Sequence, residues 1–141
     1  MSYLIDTHLH SELRRKKPDS RVVQWLSERP VTQLDLSVLT LGKIRKGVEQ
    51  LGNANAQKKA ALLDWLELET PQYFQKRLLS IDARVADIWG KLAANAGRAL
   101  PAIDSLLAAT AIVHQLVLVT RNVKDFAGLG VDVLNPWQVA G

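Results

Sequence analysis

Residues 101–126 read PAIDSLLAATAIVHQLVLVTRNVKDF. Pro101 suits a helix start, and the run from Ile103 to Val113 is apolar almost all the way round. A helix without a polar face has to be buried. LVLVT, residues 116–120, then gives the clearest strand in the chain, a continuous apolar run too short for a helix. A buried helix feeding an all-apolar strand predicts a strand in a parallel sheet covered on both faces.

The rest of the chain repeats that alternation. Tyr3-Leu4-Ile5 is a short apolar run ending at Asp6, which predicts a first strand. THLHSELRRKK, 7–17, predicts a helix with Thr7 as N-cap and basic residues in its last turn. Val22, Val23, Trp25 and Leu26 share one face of a second helix that stops by Pro30. QLDLSVLT, 33–40, predicts a second strand, followed by Leu41, Ile44, Val48 and Leu51 at helical spacing. Leu62, Leu63, Trp65 and Leu66 predict a further helix, closed by Thr70-Pro71. Residues 78–82 form a third strand candidate. An amphipathic helix follows with Val85, Ile88, Trp89 and Leu92 inward and Gly97 at its end. VDVLNPW, 131–137, supplies a last short strand. The expectation is one domain over residues 1–141, a three-layer α/β/α sandwich with a mostly parallel sheet of about five strands. Such folds bind ligands outside the carboxyl ends of their strands. Asp6, the segment from Ser37 to Lys43, and Asn122 to Asp125 all follow predicted strands.

Composition narrows the function. The 141 residues are 48% hydrophobic and 23% charged, enough apolar material for a core. There is no cysteine, so disulfide, zinc-thiolate and cysteine-nucleophile chemistry are excluded. No run approaches the ~20 apolar residues that span a bilayer, and the start of the sequence lacks the basic region and long apolar region expected of a secretory signal. A cytoplasmic protein without a membrane partner is expected. The net charge of +4 permits a polyanionic partner.

Asp6-Thr7-His8-Leu9-His10 invites a metal reading. An Asp-Thr-His-x-His at a first strand end resembles the start of amidohydrolase and TatD-type nucleases, and paired imidazoles bind zinc. Those enzymes are closed barrels of roughly 250 residues, and they draw further histidines from later strands. Only His114 remains here, inside an apolar run. The favoured reading leaves His8 at the edge of a site and His10 on a helix surface. Asp6 is better read as one member of an oxygen-ligand cluster. Magnesium and manganese prefer carboxylates and water, and drive phosphodiester hydrolysis.

Taken together, LIDTHLHSELRRKKPDSRVVQWL, LSVLTLGKIRKGVEQL and RALPAIDSLLAATAIVHQLVLVTRNVKDFAGLGVDVLNPW resemble, in order and over essentially the whole chain, the PIN-domain ribonucleases. The similarity is to the VapC/FitB-like toxins of type II toxin–antitoxin pairs. PAIDSLLAATA, then LVTRN and DF, then NPW, is its most specific part.

That resemblance implies a set of roles. The family's first metal-binding Asp matches Asp6, and the Asp of its buried helix matches Asp104. A fourth polar position, often Asp and commonly Asn in this subgroup, falls on Asn122. The resemblance implies Mg2+ or Mn2+ on Asp6 and Asp104, an RNA substrate, a VapB-like antitoxin partner, and a homodimer or higher toxin–antitoxin assembly. The family's helix-borne Glu, in a pattern like S-x-x-T-x-x-E-x-R-x-G, falls on Lys43, with Ser37, Thr40, Arg45 and Gly47 all matching around it. His8 stands where Asn is usual, His10 where an apolar residue is usual, and Ser105 where Gly is usual. Thr7, Thr120 and Arg121 match site-lining positions.

Lys43 is the decisive departure. It removes an oxygen ligand and changes the local charge by two units. An ammonium at ~4 Å from a carboxylate gains ~1–4 kcal/mol, depending on the effective dielectric. Lys43 is therefore expected between Asp6 and Asp104 as a tethered counter-ion, with metal affinity much reduced. The alternative has Lys43 pointing to solvent and the metal surviving on Asp6, Asp104 and water. Two other readings differ in class. One is a catalytically silent PIN-fold module that still binds antitoxin or RNA. The other is a phosphoacceptor-type regulatory domain, disfavoured because Asp6 stands alone after strand one and Lys43 comes too early.

Arg14-Arg15-Lys16-Lys17, with Arg45 and Lys46, is read either as an RNA guide or as a solvated helix end. Trp25, Trp65 and Trp89 are read as core or interface. Leu62, Leu63, Trp65 and Leu66 are read as core or as part of an apolar groove for an antitoxin segment.

Overall fold

The computed structural model describes residues 1–12 and 14–138, with the side chains of His8 and His10 outside the description. Strands β1 (Tyr3–Ile5), β2 (Leu34–Ser37), β3 (Leu78–Leu79), β4 (Val117–Val119) and β5 (Val133–Leu134) form one sheet in the order β3-β2-β1-β4-β5. Every pairing is parallel. Leu4 lies opposite both Asp35 and Leu118, so β1 is the central strand. The helices are α1 (Thr7–Glu12), α2 (Ser20–Ser27), α3 (Val38–Gln50), α4 (Ala56–Asp64), α5 (Thr70–Phe74), α6 (Ala83–Asn95) and α7 (Ala102–Val113). No described helix is long and apolar enough to cross a membrane.

Period-two alternation along the strands builds the three layers. Ile5, Leu34, Leu36 and Val119 face one side. There they pack with Leu9 of α1, Val22 and Trp25 of α2, Phe74 of α5, and Trp137. Leu4 and Leu118 face the other, against Leu107, Ala108 and Ala111 of α7 and the turn residues Phe126 and Leu129. Leu107, Ala108 and Leu118 have no solvent exposure, as expected for the apolar 101–120 stretch. Ile44 and Val48 of α3 meet Leu66 in a third, smaller cluster.

Several local expectations change. α1 ends at Glu12, so the basic run at 14–17 lies beyond the helix rather than in its last turn. Val23 is exposed while Val22 and Trp25 are buried, which narrows the apolar face of α2. Thr70-Pro71 does not close a helix. α4 passes into a widened π turn at Trp65–Glu69, and the Thr70 amide reaches back to the Trp65 carbonyl. Pro71 then sits at the start of α5, where a missing N–H costs nothing. The third strand covers Leu78–Leu79 only; Asp82 beyond it caps α6 by accepting from the Val85 amide at 3.0 Å. Trp89 is at the surface rather than fully inward. Its indole N–H donates to Ser105 Oγ at 2.8 Å.

Candidate functional site

The strand order reverses direction between β1 and β4, because β2 and β3 lie on one side of β1 and β4 and β5 on the other. The chain leaves both strands there in opposite senses, which opens a crevice at their carboxyl ends. Asp6 leaves β1 at that point and Thr120 leaves β4. The Asp6 amide donates to the Val119 carbonyl at 3.0 Å, which carries the β1–β4 ladder one residue further.

Asp6 is buried, at 2% exposure, and both carboxylate oxygens accept hydrogen bonds. Thr120, fully buried, donates its hydroxyl to Asp6 Oδ2 at 2.6 Å. The Thr7 amide donates to Asp6 Oδ1 at 2.5 Å. Asp6 therefore receives the start of α1, and Thr7 is the first helical residue rather than its cap. The Thr120 oxygen in turn accepts from the Asn122 amide at 3.1 Å. One hydroxyl thus joins the strand-end carboxylate to the backbone of the loop that carries Asn122.

Asp104 reaches the same edge by a different route. α7 connects to β4 through a tight turn in which the Leu116 amide donates to the Ala111 carbonyl at 2.8 Å. The helix therefore runs back against its strand, which brings its first turn to the carboxyl edge. Asp104 is in that first turn and is half-buried, one turn before the Leu107 and Ala108 that pack on Leu4. Its neighbour Ser105 is fixed by donating to the Pro101 carbonyl at 2.7 Å.

Lys43 lies in the second turn of α3. Ser37 caps that helix by accepting from the Leu39 amide at 3.0 Å. α3 packs against α1, and Lys43 is half-buried. Among the described residues it joins no ion pair, so the expected counter-ion bridge between Asp6 and Asp104 is not formed. The Arg45 of the same motif pairs with Glu67 at 2.5 Å and Glu49 at 3.4 Å, which ties α3 to the π turn. The expectations for the His8 and His10 side chains lie outside the described residues.

The donor set is oxygen-based. Two buried hydroxyls, Thr7 Oγ1 in the first turn of α1 and Thr40 Oγ1 in the first turn of α3, have no protein partner among the described residues. Both helix starts follow strands that end at this edge. Such hydroxyls take their hydrogen bonds from water or from an ion's hydration shell. Magnesium keeps several waters and needs only one or two carboxylates, so Asp6, Asp104, the Asn122 amide and these hydroxyls fit that ion chemically. The described residues contain no cluster of three His, Cys, Asp or Glu side chains, the arrangement a Glu at position 43 would be expected to help build.

A second concavity, of about 610 Å3, opens between α2 and the π turn. It is lined by Val23, Leu26, Val31, Trp65, Tyr73 and Phe74. Of the four residues expected there, Trp65 lines it. Leu66 belongs instead to the cluster with Ile44 and Val48, against which Leu62 and Leu63 also pack. From sequence Val23 reads as part of the apolar face of α2, and Val31 and Tyr73 carry no periodic signal, so none of the three marks a groove.

Comparison with known proteins gives consistent results. A family model described as PIN domain matches residues 3–130. Toxin FitB of Neisseria gonorrhoeae is 36% identical over 138 residues, which cover 96% of this chain and 98% of that protein. VapC ribonuclease Y4jK of Sinorhizobium fredii is 29% identical over 140 residues, covering 97% of this chain and 99% of that one. A solved structure of FitAB bound to a DNA fragment superposes with a TM-score of 0.87 at 34% identity, covering 99% of this chain and 98% of the matched chain.

Proposed function

The chain belongs to the PIN-domain family, and from that premise we propose that it is the cytoplasmic toxin of a toxin–antitoxin pair, a magnesium- or manganese-dependent endoribonuclease attenuated by Lys43. The observation that carries this reading is the buried Asp6 carboxylate at the switch point, fixed by Thr120 and facing the same edge as Asp104. Asp6 and Asp104 would hold the ion, with Asn122 positioning water or phosphate beside it. The ion, when bound, supplies charge neutralisation at the phosphate and a nucleophilic water. The chain's own part is to fix the carboxylates. Thr120 and the Thr7 amide leave Asp6 little rotational freedom, and the short turn into β4 anchors the helix that carries Asp104.

Lys43 attenuates that site in two ways. It withholds the oxygen that the family motif provides at this position, and it keeps a positive charge on a helix packed against α1. Without pairing to either carboxylate, a cation there still repels a divalent ion that approaches them. The groove between α2 and the π turn is the proposed seat of an antitoxin segment, supported by the toxin–antitoxin composition of the FitAB complex. A homodimer or larger toxin–antitoxin assembly is part of the same reading.

Lys43→Glu tests it. The variant is expected to cleave single-stranded RNA in magnesium and to lose that activity in EDTA, while the parent is slow or inert. A revertant as inactive as the parent under identical RNA and metal conditions overturns the attenuation account. Lys43 at the position of the family's Glu also supports a second reading, a silent PIN-fold module that retains partner binding. Calorimetric titration with Mn2+ separates the two, since the silent form gives no site-linked heat.

A further inference from the structure

Beside Asn122, the β4–β5 edge carries a hollow of about 300 Å3, lined by Arg121, Asn122, Lys124, Asp125, Asn135 and Gln138. Its cations are held differently from Arg14 and Arg15 of the basic run at 14–17. Arg14 stacks over Trp65 at 4.7 Å and approaches Glu69 at 3.9 Å, and Arg15 pairs with Glu12 at 3.2 Å. Among the described residues, Arg121 and Lys124 enter no ion pair. Asp125 offsets one of the two charges, which leaves the lining net positive.

Arg121 is also held in place from below. Its guanidinium lies over the Trp137 ring at 5.4 Å. Trp137 is buried at 4% exposure, donates its indole N–H to the buried Glu12 at 3.2 Å, and donates its backbone N–H to Asn135 Oδ1 at 3.0 Å. A guanidinium resting on a fixed aromatic face loses little freedom on binding and keeps its fork of donors for a ligand. That fork matches a phosphate, and the amides of Asn135 and Gln138 add donors and acceptors suited to a ribose hydroxyl.

We propose that this hollow seats a phosphate of single-stranded RNA next to the scissile bond, so that the strand crosses the β4–β5 edge rather than the basic run at 14–17. The proposal rests on the ribonuclease reading and adds to it the path of the substrate.

The test measures affinity of the full chain for a short fluorescein-labelled single-stranded RNA, in EDTA to prevent cleavage, across a range of salt concentrations. Each phosphate contact contributes about 0.7 to the slope of log affinity against log salt. The double variant Arg121→Gln, Lys124→Gln is expected to lower the slope by about 1.4. Arg121→Lys should keep it, and Lys16→Gln with Lys17→Gln should leave it unchanged. Lys124→Gln alone, on an exposed turn, carries the test if Arg121→Gln disturbs Trp137. If the parent binds and the double variant keeps the parent's slope, the proposed path is wrong while the ribonuclease reading stands. A larger slope change from the Lys16 and Lys17 pair also overturns it. No binding by the parent at any salt overturns this inference, since the hollow needs no metal, while RNA cleavage by Lys43→Glu in magnesium decides the ribonuclease reading separately.

Discussion

Thr120→Val is the sharpest probe of how the site is held. The substitution keeps the shape of the side chain and deletes one hydroxyl at a position with no solvent exposure. Two hydrogen bonds go with it, the one to Asp6 Oδ2 at 2.6 Å and the one from the Asn122 amide at 3.1 Å. A bond to a charged group is worth about 1.5–3 kcal/mol net, and a neutral one about 0.5–1.5 kcal/mol. The added methyl returns about 1 kcal/mol of apolar burial. The net cost is therefore about 1–3.5 kcal/mol, read as a lower midpoint of urea unfolding at unchanged slope. Stability alone does not assign the loss to the Asp6 bond, so the measurement is a cycle with Asp6→Ala. A coupling of about 1.5–3 kcal/mol is expected, the value of the charged bond. Thr120→Ser, which keeps the hydroxyl, should retain most of the coupling. Coupling below about 0.5 kcal/mol, the usual scatter between independent sites, would mean that Thr120 does not hold the carboxylate.

Two further predictions concern pH. Asp19 caps α2 and is held down to about 2 from an ordinary 3.8, first by the side-chain bond from Arg21 and then by the Arg21 amide. Its contribution to stability is present above the ordinary value and disappears as pH falls through about 2. A carboxyl-detected NMR titration should show the depressed midpoint, and Arg21→Gln should raise it toward the ordinary range. Asp35 in β2 moves the other way. Burial pushes its carboxyl up, against the opposing pull of Arg77 and His114. A raised carboxyl costs stability above its folded value, and that cost vanishes below the ordinary carboxylate range. Asp35→Asn should therefore be more stable than the parent at neutral pH, with the difference closing in acid; an equal gain at both ends would point to another cause.

The parts of the fold that were legible are those where burial leaves a pattern. β1, β4 and α7 are apolar runs that admit one packing, and they fix the crevice in which Asp6 lies. The Thr70-Pro71 stop was misread because proline excludes a regular turn before it, while a π turn widens the helix enough to accept one. Lys43 was identifiable as a departure from Ser37, Thr40, Arg45 and Gly47 around it. The direction of its side chain was not, since that depends on how α1 packs on α3. Trp89 has helical spacing with Val85 and Leu92, yet its ring stays partly exposed while its N–H reaches in to the buried Ser105 Oγ, a partner that the spacing does not show. The resemblance marks Thr120 as site-lining, but its bond to Asp6 is not legible, because a partner 114 residues away leaves no local trace.

That separation has a consequence for synthesis. β1 is made before β4, yet one of its two hydrogen-bonding edges belongs to β4. Until residues 117–120 emerge, a nascent chain carries an acidic strand end with no hydroxyl to hold it, beside an open edge that α7 alone does not pair. Prematurely terminated products lacking β4 would therefore contain Asp6, Lys43 and Asp104 in sequence but not as a site. Translation order itself acts as a timer on this centre, which closes only once β4 and Thr120 have been made.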